Sequence, residues 1–297
     1  MDRIHQMQVL VAVAEERGFS SAARRLGLSG PAITRAVASL EEDLNVQLFK
    51  RTTRQVRITE AGARYLEDVK RILSDITEAE ETISGTTAAP RGHLVVTAPT
   101  MFGRLHVMPG IATFLKKFPE MTVDALFLDR IVDMLEEGVD VGVRIGRLPD
   151  SSIRARKVGE VRTVLVASPD YLMARGTPRS PQDLAKHALI AARTGNFSPA
   201  WGFSAENREI SLKVKPKLTA TSHDAVIEAA ANGLGITRAL SYQVAPAVAE
   251  GRLMIVLGEW EQAPIPVHII HREDRSAPVK VRAFIDCLCG HLEADLV

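Results

Sequence analysis

The sequence predicts three parts: a mainly α N-terminal winged helix-turn-helix, a long linker helix, and an α/β C-terminal domain with room for two lobes. Three observations predict it. Short helical periods punctuated by Gly and Ser lead into a basic hairpin pattern that ends at Thr59. A long helical period then runs from Thr59 to about Ser84. After a small-residue linker, Gly85–Gly92, strand and helix patterns alternate to the C-terminus.

Ile4, Met7, Val11 and Ala14 recur at helical spacing and predict a first helix over Arg3–Glu16, broken at Gly18. Ser20 is the expected N-cap of a short second helix carrying Ala22, Ala23 and Leu26, and Gly27 ends it. Ser29 caps a third helix with Pro31 in its first turn, where a missing N–H costs nothing. Ile33, Val37, Leu40 and Leu44 form its buried stripe, which leaves Gly30, Pro31, Thr34, Arg35 and Ala38 outward. A helix entering the major groove needs such a face: little bulk, and donors for base edges and phosphates.

Leu48–Thr59 follows, with Val56 and Ile58 alternating about Arg57 as in a strand and a polar hairpin tip before them. This basic hairpin is the expected wing, lying along phosphates or reaching into the minor groove. The candidate DNA contacts are Ser20, Ser21, Arg24, Ser29, Gly30, Pro31, Thr34 and Arg35 on the helices, and Arg51, Thr53, Arg54 and Gln55 in the wing.

Net charge is only +1 over 297 residues, but its distribution is uneven. Arg17–Leu40 holds Arg17, Arg24, Arg25 and Arg35, and Leu44–Thr59 holds Lys50, Arg51, Arg54 and Arg57, with no acid in either stretch. A neutral chain with a basic N-terminal end suits one that grips phosphate at that end only. Thr59 caps the long helix, whose narrow stripe is Leu66, Val69, Leu73, Ile76 and Ile83, with Glu80 breaking the seam. That stripe serves either a partner helix or the chain's own domain; a two-fold dimer is the expectation because it suits palindromic DNA.

Beyond the linker, strands are expected at His93–Ala98, Thr122–Phe127, Val139–Ile145, Arg162–Ala167, Ala188–Ala191, Lys213–Ala220 and Val267–His271, in mostly parallel sheets. Helices are expected at Leu105–Lys117, Ile131–Glu137, Pro169–Ala174, Asp224–Asn232, Tyr242–Glu250 and Val279–Glu293. Cys287 and Cys289, two apart on a helix, suit neither a metal site nor a disulfide. No phosphate loop, nucleophile elbow or His-Glu-x-x-His is present, and His268 and His271 fall on opposite faces of a strand, so no enzyme, metal or cofactor is expected. With no signal pattern and no apolar run of membrane-spanning length, a cytoplasmic protein that does not meet the membrane is expected.

Gly18-Phe19-Ser20-Ser21-Ala22-Ala23-Arg24-Arg25-Leu26-Gly27-Leu28-Ser29-Gly30-Pro31-Ala32-Ile33-Thr34-Arg35 resembles the helix-turn-helix of LysR-type transcriptional regulators. So do Leu40–Arg51 and the helix entry Thr59-Glu60-Ala61-Gly62. Val139–Ser152 resembles the family's Asp-small-Arg-Gly strand, and Asn232-Gly233-Leu234-Gly235-Ile236 its second-lobe glycine turn. The likeness covers essentially the whole chain and is strongest over the first 62 residues. The chain departs from the family at Gly30, where glutamine is common, which removes one polar donor, and at Asn45, where glycine is common.

The resemblance implies a sequence-specific regulator of transcription that binds double-stranded DNA as a dimer through the linker helix, assembled further into a tetramer, with RNA polymerase as a further contact. It also implies an effector domain of the type II periplasmic-binding-protein kind, two lobes joined by strands crossing near Arg162–Ala167 and Pro266–His271. The domains are then 1–59 for DNA binding, 60–85 for the linker helix, 86–92 for the hinge, 93–161 with 272–297 for the first lobe, and 162–271 for the second. A small-molecule effector belongs between the lobes, beyond strand C-termini where helix N-termini point inward. Thr100, Met101 and Phe102 open one such helix, and Ser222 and His223 another. Gly146 and Arg147 follow a strand, and Phe197 and Trp201, in a loop over Gly195–Phe203, could wall the site. Free helix N–H groups and an arginine favour an anionic or aromatic metabolite. Two other readings use the same parts: a transport binding protein, and a DNA-bending protein without ligand, which a collapsed interlobe space would favour.

Overall fold

The computed structural model describes residues 2–51, 56–84, 89–148, 153–194, 200–205, 208–272 and 277–295. The chain divides into two units, residues 1–89 and 90–297.

The first unit holds α1 (Arg3–Glu16), α2 (Phe19–Leu26), α3 (Gly30–Leu44), β1 (Phe49–Arg51), β2 (Val56–Ile58) and α4 (Glu60–Ser84). Asp2 caps α1 by accepting from the Ile4 N–H at 3.3 Å. The buried face of α1 is Gln6, Val9, Leu10, Ala12 and Val13, whereas Ile4 is exposed and Met7, Val11 and Ala14 are only partly covered. The buried face is thus rotated from the Ile4, Met7, Val11 and Ala14 stripe. The run Val9–Ala14 is apolar all round because α2, α3 and α4 each pack on it. Gly18, not Ser20, is the N-cap of α2, and Ser20 is exposed within the first turn. Gly27 ends α2 in the left-handed region at φ 66°, donating to the Ala23 and Arg24 carbonyls. Ser29 caps α3 as expected, accepting from the Ala32 N–H at 3.3 Å. Ile33, Val37 and Leu40 are fully buried with Ala36, while Leu44 is partly covered.

β1 and β2 pair antiparallel, with Phe49 opposite Ile58 and Lys50 opposite Arg57. Thr59 caps α4 by accepting from the Gly62 N–H at 2.9 Å. Gly62 is required there, because a Cβ would stand 2.2 Å from the Leu48 carbonyl oxygen. Val69 is buried, and Tyr65, Leu66 and Leu73 pack on the same core, so the first half of the α4 stripe serves the chain's own domain.

The second unit has two five-stranded sheets. The first is ordered β4–β3–β5–β14–β6, from β3 (Gly92–Ala98), β4 (Met121–Phe127), β5 (Val141–Ile145), β6 (Ile153–Val161) and β14 (Ile265–Arg272). The second is ordered β11–β8–β12–β7–β13, from β7 (Thr163–Ala167), β8 (Leu189–Ala192), β11 (Leu218–Ala220), β12 (Ile236–Leu240) and β13 (Met254–Val256). A separate hairpin pairs β9 (Ala200–Ala205) with β10 (Arg208–Lys213).

The sheets are mixed, not mostly parallel. In the first, β3 runs parallel to β4 and β5, but β14 is antiparallel to β5 and β6. In the second, β8 is parallel to β11 and β12, but β7 is antiparallel to β12 and β13. The chain leaves the first lobe between Val161 and Thr163 and returns at Ile265. β14 pairs along its whole length in the first sheet, so the lobe boundary falls before Ile265, not at residue 271. Arg162 and Glu261 tie the two crossings together, with Arg162 donating to Glu261 at 2.9 Å.

The helix expected at Leu105–Lys117 begins earlier. α5 (Thr100–Phe102) continues through a π turn, Gly103–Val107, into α6 (Met108–Lys117). α7 (Pro169–Arg175), α8 (His223–Ala231), α9 (Ser241–Ala249) and α10 (Val279–Asp295) lie close to expectation. No helix forms at Ile131–Glu137. The Asp133 carboxylate accepts from the Leu135 and Glu136 N–H groups, and Arg130 pairs with both oxygens of Glu137, which satisfies a turn instead. One apolar core runs through both lobes, and Phe102 and Tyr242 meet across them at 5.1 Å between ring centres.

Candidate nucleic-acid interface and effector cavity

On the first unit, α3 presents Gly30, Pro31, Arg35 and Ala38 to solvent, with Thr34 half-buried beside them. A Cβ on Gly30 would meet nothing within 4 Å. Ser20 and Arg24 are exposed on α2 and Ser21 is half-buried. Ser29 is exposed, with its oxygen engaged in capping α3. The arginines divide by role. Arg25 donates to Glu15 at 2.7 Å and also reaches Glu16, so it is committed within the fold. Arg24 and Arg35 are exposed and take no such partner among the described residues. Free guanidinium groups flanking a small-residue helix face offer phosphate and guanine contacts with no internal ion pair to break.

Glu41 holds the wing against this face. One carboxylate oxygen accepts from the Leu48 N–H at 2.7 Å and the Phe49 N–H at 3.0 Å, fixing the start of β1 to α3. Sequence reading missed this role, because nothing local marks a carboxylate that caps a strand seven residues on. In the wing, Thr53, Arg54 and Gln55 lie outside the described residues, as does the Arg51 side chain.

On the second unit, a cavity of about 350 Å³ opens at the C-terminal ends of β8 and β12. Its walls include Thr163, Thr194, Trp201, His223, Arg238 and Gln262. Of the expected effector residues, Trp201 and His223 line it. Trp201 is buried on β9, not carried on a loop, and Phe197 lies outside the described residues. Ser222 caps α8 through the Ala225 N–H at 3.4 Å and is exposed. The N-terminus of α5 is partly satisfied from within, because the Asp129 carboxylate accepts from the Thr100 N–H at 2.9 Å. Met101 and Phe102 are buried, Phe102 wholly, in the core between the lobes. Gly146 (φ 138°) and Arg147 follow β5 away from the cavity lining, with Arg147 exposed. The seam at Phe102 and Tyr242 is filled, and open space lies on the second-lobe side.

Arg238 is the cavity residue that sequence reading missed. Its guanidinium lies 5.6 Å from the Trp201 ring centre, and burial lowers its pKa. Burial also lowers the His223 pKa, against the opposing charges of Asp129 and Asp224, so the imidazole is held toward its neutral form. His223 Nε2 lies 3.5 Å from Thr194 Oγ1, while Nδ1 is buried without a partner. Among the described residues no His, Cys, Asp and Glu grouping could hold a metal, both cysteines are free, and no helix is long and apolar enough to cross a membrane.

A helix-turn-helix with a small, cationic outer face, on one chain with a two-lobed α/β domain that carries an open cavity lined by polar and apolar groups, defines the class of ligand-responsive DNA-binding regulators. Residues 4–63 match the family described as bacterial regulatory helix-turn-helix protein, lysR family, and residues 87–293 match the LysR substrate binding domain. The chain belongs to the LysR-type transcriptional regulators. It is 32% identical over 289 residues to the HTH-type transcriptional regulator PtxR of Pseudomonas aeruginosa, covering 97% of this chain and 93% of that one. It is 31% identical over 293 residues to the regulator CrgA of Neisseria meningitidis, covering 98% and 97%. The solved structure of CrgA superposes with a TM-score of 0.63 at 30% identity, covering 97% of this chain and 98% of that one. Full-length AphB, a Vibrio cholerae virulence activator, superposes with a TM-score of 0.63 at 27% identity, covering 98% and 100%.

Proposed function

We propose that this regulator reads an inverted-repeat operator as a cytoplasmic dimer joined through α4, with further assembly to a tetramer, and that an anionic or aromatic metabolite in the cavity sets its action on transcription. It carries no catalytic step; RNA polymerase is a further contact at the promoter. The observation that carries this reading is the division of the arginines: Arg25 is spent on Glu15, while Arg24 and Arg35 stand free beside the small-residue face of α3. Two such faces in a two-fold dimer meet successive major grooves about one helical turn, roughly 34 Å, or a multiple of it apart. The outward positions Ile72 and Ile76 on α4, exposed or half-exposed, supply an apolar surface for the partner helix. Nuclease protection on DNA upstream of the chain's own gene tests it. The expected result is two protected half-sites related by a dyad, with protection altered by the effector; continuous protection without a dyad contradicts it.

A further inference from the structure

Arg238 sits on the central strand β12, and its position is costly. It is half-buried, lies over the Trp201 ring at 5.6 Å from its centre, and no described residue gives it a hydrogen bond or a carboxylate. A desolvated guanidinium is normally paired. Among the described residues, the cavity lining holds no Asp or Glu. The nearby carboxylates are committed elsewhere: Asp224 to Arg104 across the lobes at 3.1 Å, and Asp129 to the Thr100 N–H. Among the described residues, the wall therefore carries one guanidinium and no carboxylate to balance it. Beside it stand neutral groups that can hydrogen-bond, among them the Thr163 and Thr194 hydroxyls and the Gln262 amide. His223 adds a second, independent vacancy, a buried Nδ1 with no partner.

We propose that this cavity is a carboxylate site, in which Arg238 forms the ion pair with a monocarboxylic acid and Trp201 supplies the wall for the acid's apolar body. A guanidinium with no internal ion pair keeps its fork of N–H groups available, and that fork matches the two oxygens of a carboxylate. One cation without a second balances a single negative charge, which disfavours a phosphate dianion. The volume of about 350 Å³ exceeds the ~150 Å³ in which benzene is held, so a one-ring acid or a short-chain acid fits. This assignment replaces the helix N-termini as the source of positive potential, and it rests on the reading of the cavity as the effector site.

The test uses the full chain and two readouts. The sequence has two tryptophans, Trp201 and Trp260, so Trp260→Phe leaves Trp201 as the sole indole reporter. Benzoate, phenylacetate, cyclohexanecarboxylate and hexanoate are titrated beside their neutral amides, by Trp201 fluorescence in that variant and by calorimetry on the unsubstituted chain. At least one acid is expected to bind saturably and about 10-fold or more tighter than its amide, and Arg238→Gln is expected to weaken it about 30-fold or more while leaving the amide unchanged. The melting temperature of unliganded Arg238→Gln is expected to be no lower than that of the parent, which separates lost binding from lost folding. Equal affinity for acids and amides, retained acid affinity in Arg238→Gln, or no response to any acid overturns the assignment. If an amide binds as tightly as its acid and changes operator affinity, the effector reading stands and the carboxylate fails. If an acid binds through Arg238 without changing operator affinity, the carboxylate stands and the effector reading fails.

Discussion

Asn45 closes the turn that leads from α3 toward the wing. It ends α3 with φ 51°, donating its N–H to the Glu41 and Glu42 carbonyls, the left-handed conformation expected where the family favours glycine. Asn45→Gly is expected to leave the melting temperature nearly unchanged, whereas Asn45→Val should cost about 1–2 kcal/mol in chemical denaturation, since a β-branched residue is strained there. Equal stability of the two variants would contradict the reading. At the DNA face, Arg35→Ala should weaken operator binding by roughly 1–3 kcal/mol if its fork meets a base edge. Gly30 stands in open space, so Gly30→Gln should fold normally and change base preference at one operator position. A selection from randomised operators that returns the parental site would remove position 30 from base readout. Caps such as Ser29 and Thr59 were legible because a hydroxyl followed by a helical period has a local cause. Ser20 was misread because Gly18 begins α2 with no side-chain cap bond at all.

Elements were legible where their periodicity was set by one buried face. β6 was not, because as an edge strand pairing only with β14 it reads Ile-Arg-Ala-Arg-Lys-Val-Gly-Glu-Val, with charge scattered through it. β12, with the sequence Ile-Thr-Arg-Ala-Leu, was hidden behind the glycine turn that precedes it, and with it went Arg238. β9, β10 and β13 were missed too, the last only three residues long. At this scale Glu41 carries the wing. Glu41→Ala strands two strand N–H groups and should destabilise the first unit by about 1–3 kcal/mol, read by denaturant unfolding of the full chain with a DNA-binding readout. An unchanged midpoint would show that the wing is held by β1–β2 pairing alone. Arg54→Ala should weaken binding to all DNA alike and reduce the salt slope by about one phosphate contact. An unchanged slope would take Arg54 off the phosphates.

For the whole molecule, the organisation into two units was legible and the cavity was not. Its walls come from Thr163, Trp201, His223, Arg238 and Gln262, on five separate segments of chain, and no spacing announces that they meet. The same burial has a pH signature. His187 and His223 both have pKa values lowered from the ordinary 6.5, by desolvation first; Asp183 and Lys186 act on the former, Asp129 and Asp224 on the latter. Above that value both states hold neutral imidazole and nothing is lost. As pH falls below it the unfolded chain takes up protons before the folded one, so stability should fall. Melting curves from pH 7.5 to 5.5 check this, and His223→Gln should flatten the fall; an unaltered profile would show that His223 does not contribute.

The most direct measurement of the central claim is a titration of the purified full chain on DNA upstream of its own gene, against scrambled DNA of equal length, at several salt concentrations. Preference for the upstream DNA by about 10³-fold or more is expected, with both affinities falling as salt rises. Equal affinity for the two DNAs, or no binding at low salt, would contradict it.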